Sequence, residues 1–275
     1  MGRHWRTRGT CRAIVRAAGL QAIEIRCLED NGRWTEPATE TVHRVVITRS
    51  GGYLRWVNGA TTFVDATNVL VTRPGDEVAV AHPAGSRDSG TVVKLSDELV
   101  EGMPLPHGEL RLDDRLDLRH RALLADSRAG LDPFTAADRL LGLLDELRGL
   151  RDAAPGPGRT ATVQAHRRLV DRAREALLAG GLSLGLDTLA QAVGCSPHHL
   201  SRVFRAVTGE PLSTYRNRLR VRAVLSDVQD GAANLRSLAA EYGFADQAHL
   251  TRVVRRLLGR SPTEIRRLVT AVDRA

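Results

Sequence analysis

The chain has almost no lysine: Lys94 is the single one among 40 basic residues, so its positive charge is carried by arginine. The shortage reads as a coding bias and carries no mechanism. Cysteine is scarce as well. Cys11, Cys27 and Cys195 show neither paired nor metal-ligand spacing, which argues against a disulfide scaffold and suits reduced thiols. Cys195 takes an apolar position after a turn glycine and reads as core, not as a redox sensor. No apolar run approaches the ~18–20 residues needed to span a bilayer, and the arginine-rich start lacks an apolar signal core. The expected setting is the cytoplasm, with no membrane partner.

What is present is ordinary in bulk and uneven in placement. At 275 residues, 42% hydrophobic and 26% charged, the chain has room for two domains with a core in each. Residues 163–275 carry 18 Arg against 10 Asp and Glu, whereas residues 1–162 carry 22 basic against 22 acidic residues. The formal net charge of +8 therefore falls on the C-terminal part. A basic half beside a neutral half suits a nucleic-acid footprint, and by itself also a membrane surface or an acidic protein.

A duplicated pattern decides between these. Ala190 and Ala239 each stand four residues before a glycine, Gly194 and Gly243, and Leu200/Leu250, Arg202/Arg252, Gly209/Gly259 and Arg216/Arg266 recur 50 residues apart. A small alanine lets two helices cross closely and the glycine makes the turn between them, which predicts helix-turn-helix units over about 186–207 and about 235–257. In the second helix of the first unit, Leu200, Val203, Phe204 and Val207 share one stripe, and His198, Ser201, Arg202 and Arg205 take the opposite face. The second unit repeats this with Leu250, Val253, Val254 and Leu257 inward and His249, Arg252 and Arg256 outward. One such helix reads equally well as a solvated amphipathic helix. Two with arginine in the same register point to nucleic acid.

Upstream the period changes. Residues 13–20 read as helix or strand and residues 22–28 alternate as a strand. Six short β-branched runs follow, His43–Thr48, Tyr53–Val57, Thr61–Val64, Asn68–Thr72, Glu77–Ala81 and Thr91–Leu95, separated by turns such as Asn58-Gly59 and Arg73-Pro-Gly-Asp76. They predict an antiparallel barrel or sandwich. Residues 112–148 turn helical, with Leu140, Leu143, Leu144 and Leu147 forming a stripe that serves either its own barrel or a second subunit. Pro155 and Pro157 with their glycines mark 151–160 as an exposed linker between a domain over 1–150 and another over 161–275. In the second domain a supporting helix spans 163–179. A connecting helix over 211–228 turns Leu212, Tyr215, Leu219 and Ala223 inward and is decorated by Arg216, Arg218, Arg220 and Arg222.

The segments from Leu189 to Arg205, from Tyr215 to Arg220 and from Tyr242 to Arg252, with Gly259-Arg-Ser-Pro262 downstream, resemble the AraC/XylS family of transcriptional regulators. The likeness covers about 100 residues. The β-rich half resembles, more weakly, the family's cupin-like effector domains. The fold class expected is thus α+β multidomain: an N-terminal cupin-like β-barrel with trailing helices and a C-terminal all-α domain with two helix-turn-helix motifs.

The resemblance implies a seven-helix domain whose two recognition helices enter successive major-groove segments of promoter DNA. Carried over by register, His198, Ser201 and Arg202 approach base edges with Arg205 near the backbone, and Asp246, Gln247, His249 and Arg252 take those places in the second copy, with Arg256 on the same outer face. Where the family usually has aromatics this chain has Val254 and Ile265, which predicts less bulky packing in the second unit. The resemblance further implies a transcription factor and not an enzyme, RNA polymerase as a partner, a nucleoid location, and a small effector or a homodimer partner acting on the N-terminal domain. No cofactor is expected. Metal-binding cupins carry a His-x-His, a Glu and a later His that are missing here, and His43 and His82 stand isolated as turn or surface residues. A cupin enzyme fused to a DNA-binding tail and a non-specific DNA-coating protein are the rival classes.

Overall fold

The computed structural model describes residues 9–28, 31–84, 88–150 and 161–270. The expected 151–160 linker lies outside the described residues. Ten strands open the fold: β1 (Gly9–Ala17), β2 (Leu20–Cys27), β3 (Ala38–Thr39), β4 (His43–Ser50), β5 (Gly52–Val57), β6 (Ala60–Asp65), β7 (Asn68–Thr72), β8 (Glu77–Ala81), β9 (Ser89–Leu95) and β10 (Gly108–Arg111). The ambiguous stretch at 13–20 is therefore strand, and β1 and β2 form a hairpin. All pairings are antiparallel and make two sheets, β1-β2-β9-β4-β7-β10 and β3-β8-β5-β6. The architecture is two facing sheets that do not close into a barrel.

The pattern of the central strands explains that architecture. Val45 and Ile47 on β4, Val69 and Val71 on β7, and Val93 and Leu95 on β9 point to one face, while Val46, Leu70 and Val92 point to the other. The second face meets Tyr53, Val64 and Val80 of the smaller sheet. The first is covered by α2 (Asp114–Arg128) and α3 (Pro133–Leu147), whose Leu116, Leu123, Leu140, Leu143, Leu144 and Leu147 complete the core. Strands buried on both faces need apolar residues at consecutive positions, so these runs do not alternate. The leucine stripe is consumed by its own sheet. The stretch expected to be helical over 112–148 forms two capped helices, with Asp113 and Asp132 at their N-termini, after the short strand β10.

A short helix α1 (Asp97–Gly102) links β9 to β10. The helical domain comprises α4 (Ala161–Ala179), α5 (Leu186–Ala192), α6 (Pro197–Thr208), α7 (Leu212–Gln229), α8 (Leu235–Glu241), α9 (Gln247–Leu258) and α10 (Pro262–Val269). It has two cores that share α7. Tyr215 and Leu219 join Leu189, Leu200 and Phe204, whereas Val221, Val224, Leu225 and Val228 join Leu238, Leu250, Val253 and Ile265.

Two histidines depart from expectation. His43 on β4 lies 3.3 Å from Asp97. His82, expected in a turn or at the surface, is 4% exposed, with Nδ1 2.7 Å from Asp88 Oδ1. The reason is topological: Asp88 precedes β9 of the large sheet and His82 follows β8 of the small one, so the two meet where the sheets come together.

Candidate DNA-reading surface and the clamp behind it

Each unit of the duplicated pattern folds as its turn requires. Gly194 and Gly243 sit at φ +73° and +71°, a conformation that residues with a Cβ resist, and Ala190 and Ala239 are buried against the crossing helix. The recognition helices α6 and α9 then start on side-chain caps. Ser196 Oγ accepts from His199 N at 3.2 Å, and Asp246 Oδ1 accepts from His249 N at 2.6 Å. Pro197 adds a residue preorganised for a first turn, and both helices end on left-handed glycines, Gly209 and Gly259. Leu200, Val203 and Phe204 of α6 and Leu250, Val253 and Val254 of α9 are buried, as their spacing predicted. Val254 and Ile265, at the sites of the missing aromatics, are filled in around Phe244 and Leu238.

On the outer faces His198, Arg202 and Arg205 are exposed and Ser201 is half-buried. Gln247, Arg252 and Arg256 are likewise exposed. Two of the expected readers have work inside the fold. The Asp246 carboxylate caps α9, and half-buried His249 accepts from Ala245 N through Nδ1 at 3.2 Å while its ring meets Phe244 edge-on at 5.5 Å. The 50-residue register pairs His249 with His199 and adds Thr251 and exposed Arg255 as counterparts of Ser201 and Arg205.

The arginines separate into two populations. None of Arg202, Arg205, Arg252 and Arg256 forms an ion pair with a described residue. The arginines of the connecting helix, expected as basic decoration, are instead engaged internally. Arg216 and Arg220 donate to the carbonyls of Leu184 and Leu182, at 2.6 and 2.9 Å. Arg218 contacts Asp114 at 2.9 and 3.1 Å and also pairs with Glu210. Arg222, fully buried, donates to the carbonyls of Ala66 and Leu112 and to Asp114.

These contacts belong to a clamp between the sheets and α7. Tyr215, Arg218, Arg222, Ser226 and Gln229 recur every three or four residues and so share one face of the helix. Tyr215 donates to Asp65 at the end of β6. Gln229 exchanges hydrogen bonds with Arg121 of α2, at 2.9 and 3.2 Å, and Arg121 also donates to Ser226 and to the Arg49 carbonyl. From α4, Arg174 reaches Asp65 at 3.0 Å, Asp171 at 3.2 Å and Glu109 at 3.4 Å. Burial alone would raise the Asp65 carboxyl, but the Arg174 charge and the hydrogen bonds from Arg174, Tyr215 and Thr67 outweigh it and hold it low. Glu109 and Asp171 are pushed up by burial despite Arg174. Asp117, held low by Arg121 and Arg222 against its own burial, is the second ionised anchor.

A cleft of about 650 Å³ opens beside this clamp, between the β5–β6 hairpin, β10, α4 and the α6–α7 junction. Phe63, Glu109, Asp171, Arg174 and Tyr215 are among its walls.

Two helix-turn-helix units in one domain, each presenting on a capped second helix arginines without ion pairs to described residues, define a DNA-binding transcriptional regulator. Comparison with known proteins agrees. Residues 189–268 match the family model described as a helix-turn-helix domain. The probable transcription factor PqrA of Proteus vulgaris is 30% identical over 88 residues, which are 32% of this chain and 72% of that protein. The transcriptional activator AarP of Providencia stuartii is 34% identical over 80 residues, and the chain spans 59% of its length. Among solved structures, ToxT of Vibrio cholerae aligns over 93% of this chain and 100% of its own, at 9% identity and a TM-score of 0.37. The chain belongs to the AraC/XylS family of transcriptional regulators. The β-rich domain lies outside the residues matched by the family model.

Proposed function

We propose that the protein reads a promoter sequence through α6 and α9 and that its β-rich domain governs this reading by gripping α7. The observation that carries the first part is the division of the arginines: those behind the helices are paired, and those on the two recognition faces are left for a ligand. Arg202 and Arg252 bind guanine edges, Gln247 suits adenine, His198 and Ser201 contact neighbouring groups, and Arg205, Arg255 and Arg256 lie toward phosphates. Asp246 and His249 position α9 through its cap and the Phe244 contact. The second part rests on the stripe along α7, because a domain bonded to five residues over about four turns of one face cannot shift without moving the helix common to both units.

The cleft beside Arg174 is of a size suited to a small effector, within the ~300–1,000 Å³ usual for such sites. An effector there competes with Glu109, Asp171 and Tyr215 for Arg174 and loosens the grip on α7. A homodimer would use a surface other than the leucine stripe of α3, and contact with RNA polymerase in a cytoplasmic, nucleoid-bound complex completes the proposed role.

The test compares the full chain with its Arg202→Ala and Arg252→Ala variants on the upstream region of its own gene and on scrambled DNA, at two salt concentrations. Each substitution should reduce the preference for the upstream region by ~1–3 kcal/mol, as expected for the loss of a base contact. Equal binding of all three proteins to both DNAs would mean that the helices are basic surfaces without sequence preference.

A further inference from the structure

Cys27 is remote in sequence from His82 and Asp88, and none of the three takes part in the clamp or the DNA-reading faces, yet all are buried and meet at one point. Cys27 ends β2, where antiparallel pairing with β9 brings it level with Asp88; Cys27 N donates to Asp88 O at 2.9 Å. His82 arrives from the opposite sheet. One donor atom from each residue, a sulfur, an imidazole nitrogen and a carboxylate oxygen, lies within 4.8 Å of the other two. The three residues line a small cavity of about 10 Å³, room for about one water-sized sphere, whose wall also includes Thr48 and Tyr53. His82 Nε2 is buried and makes no hydrogen bond. A buried polar atom left without a partner is costly, and a bound ion would remove that cost.

From this juxtaposition we propose that Cys27, His82 and Asp88 form a binding site for a thiophilic divalent cation of the zinc class. The donor set selects the ion. Thiolate and imidazole favour zinc over magnesium or calcium, and a carboxylate in the set favours a divalent ion over cuprous copper. Zinc bonded at ~2.0–2.3 Å to three such donors requires them to stand ~3.3–3.8 Å apart, so the sulfur closes in while the His82 ring turns to give up its 2.7 Å hydrogen bond with Asp88 and present a nitrogen to the ion. On binding, the Cys27 thiol and the His82 ring each give up a proton; against burial, Asp88 and Cys27 otherwise hold the His82 imidazolium up to a pKa of about 10. The fourth position faces the cavity and takes a water or the Thr48 hydroxyl. Because the ligands come from both sheets, the ion acts as a staple between them. The site also borders the clamp, since Arg26, next to Cys27, pairs with Asp230 at the end of α7.

The experiment titrates the untagged full chain with Zn2+ against a chromophoric chelator and repeats the titration with Co2+ as a spectroscopic probe. The expected result is one equivalent bound, with a thiolate-to-cobalt charge-transfer band and the intense visible bands of a tetrahedral site. Cys27→Ser should abolish the charge-transfer band, and His82→Gln should weaken zinc binding at least tenfold, whereas Cys11→Ser should change neither. X-ray absorption on the zinc-loaded wild type needs no variant and should find one sulfur at ~2.3 Å with lighter atoms at ~2.0 Å. Absence of stoichiometric binding, a shell without sulfur, or affinity unchanged by Cys27→Ser would each overturn the site. None of these readouts involves DNA.

Discussion

His120 shows how one buried side chain sets a pH dependence for the whole molecule. It is 1% exposed, with Nε2 2.9 Å from Thr91 Oγ1, and burial, reinforced by the Arg49 charge, pushes its pKa down to about 3. In the unfolded chain it takes up a proton near pH 6.5, so the unfolded state binds more protons than the folded one at every pH between these values. Stability contributed at neutral pH is therefore lost progressively as pH falls from 6.5 toward 3. Urea unfolding at a series of pH values should show this decline, and His120→Gln, which stays neutral and keeps a donor for Thr91, should flatten it. Asp65 and Asp117, both held below the ordinary carboxylate range, add a loss of the same sign that begins as pH falls through the unfolded carboxylate value of about 4 and continues to their lower folded values. None of this is legible in the sequence. The identical residue type reads as surface at His43 and His82 and as a base contact at His198, and only the packing around each one separates a cap neighbour from a buried neutral ring or an exposed donor.

At the scale of elements the sequence was more open. The turn glycines, the caps Ser196 and Asp246 and the apolar stripes are local chemistry, and they place α5 to α9 within a residue or two. The six central strands follow from β-branched runs between turn residues for the same reason. What resisted was the role of the arginines on α7, because Arg202 and Arg222 look alike until the carboxylates of α2 come beside one of them. The turns also differ in a way that spacing hides. A Cβ on Gly243 would stand 2.9 Å from Ser183 Cβ and 3.2 Å from Ser183 Cα, whereas one on Gly194 would meet nothing within 4 Å. Gly194→Ala should cost ~1–2 kcal/mol for its left-handed backbone alone, and Gly243→Ala measurably more, with thermal unfolding as the check. The clamp offers a sharper case. Arg222→Met should destabilise by ~3–5 kcal/mol in denaturant titration, because Asp114 and Asp117 lose a shared cation in a buried site.

For the molecule as a whole, the clamp makes the two domains one thermodynamic unit. Buried hydrogen bonds from Tyr215 to Gln229, together with Arg174, tie them so closely that differential scanning calorimetry should record a single cooperative transition. Replacing Asp65 and Arg174 together by Asn and Met should split that transition in two; a transition that stays single would place the coupling elsewhere, in the apolar contacts of Leu118 with the second core. The composition has its own consequence at this scale. The sole lysine, Lys94, sits half-buried on β9, paired with Gln21 and Arg44 across the sheet and remote in sequence from both recognition helices. The fixed positive charge of the two recognition faces is therefore all guanidinium, which neither titrates in any physiological range nor accepts an acetyl group in the manner of an amine. Such a surface offers no amine for acetylation; under the proposed function its control falls to α7, the helix shared by both units and held by the sheets and α2.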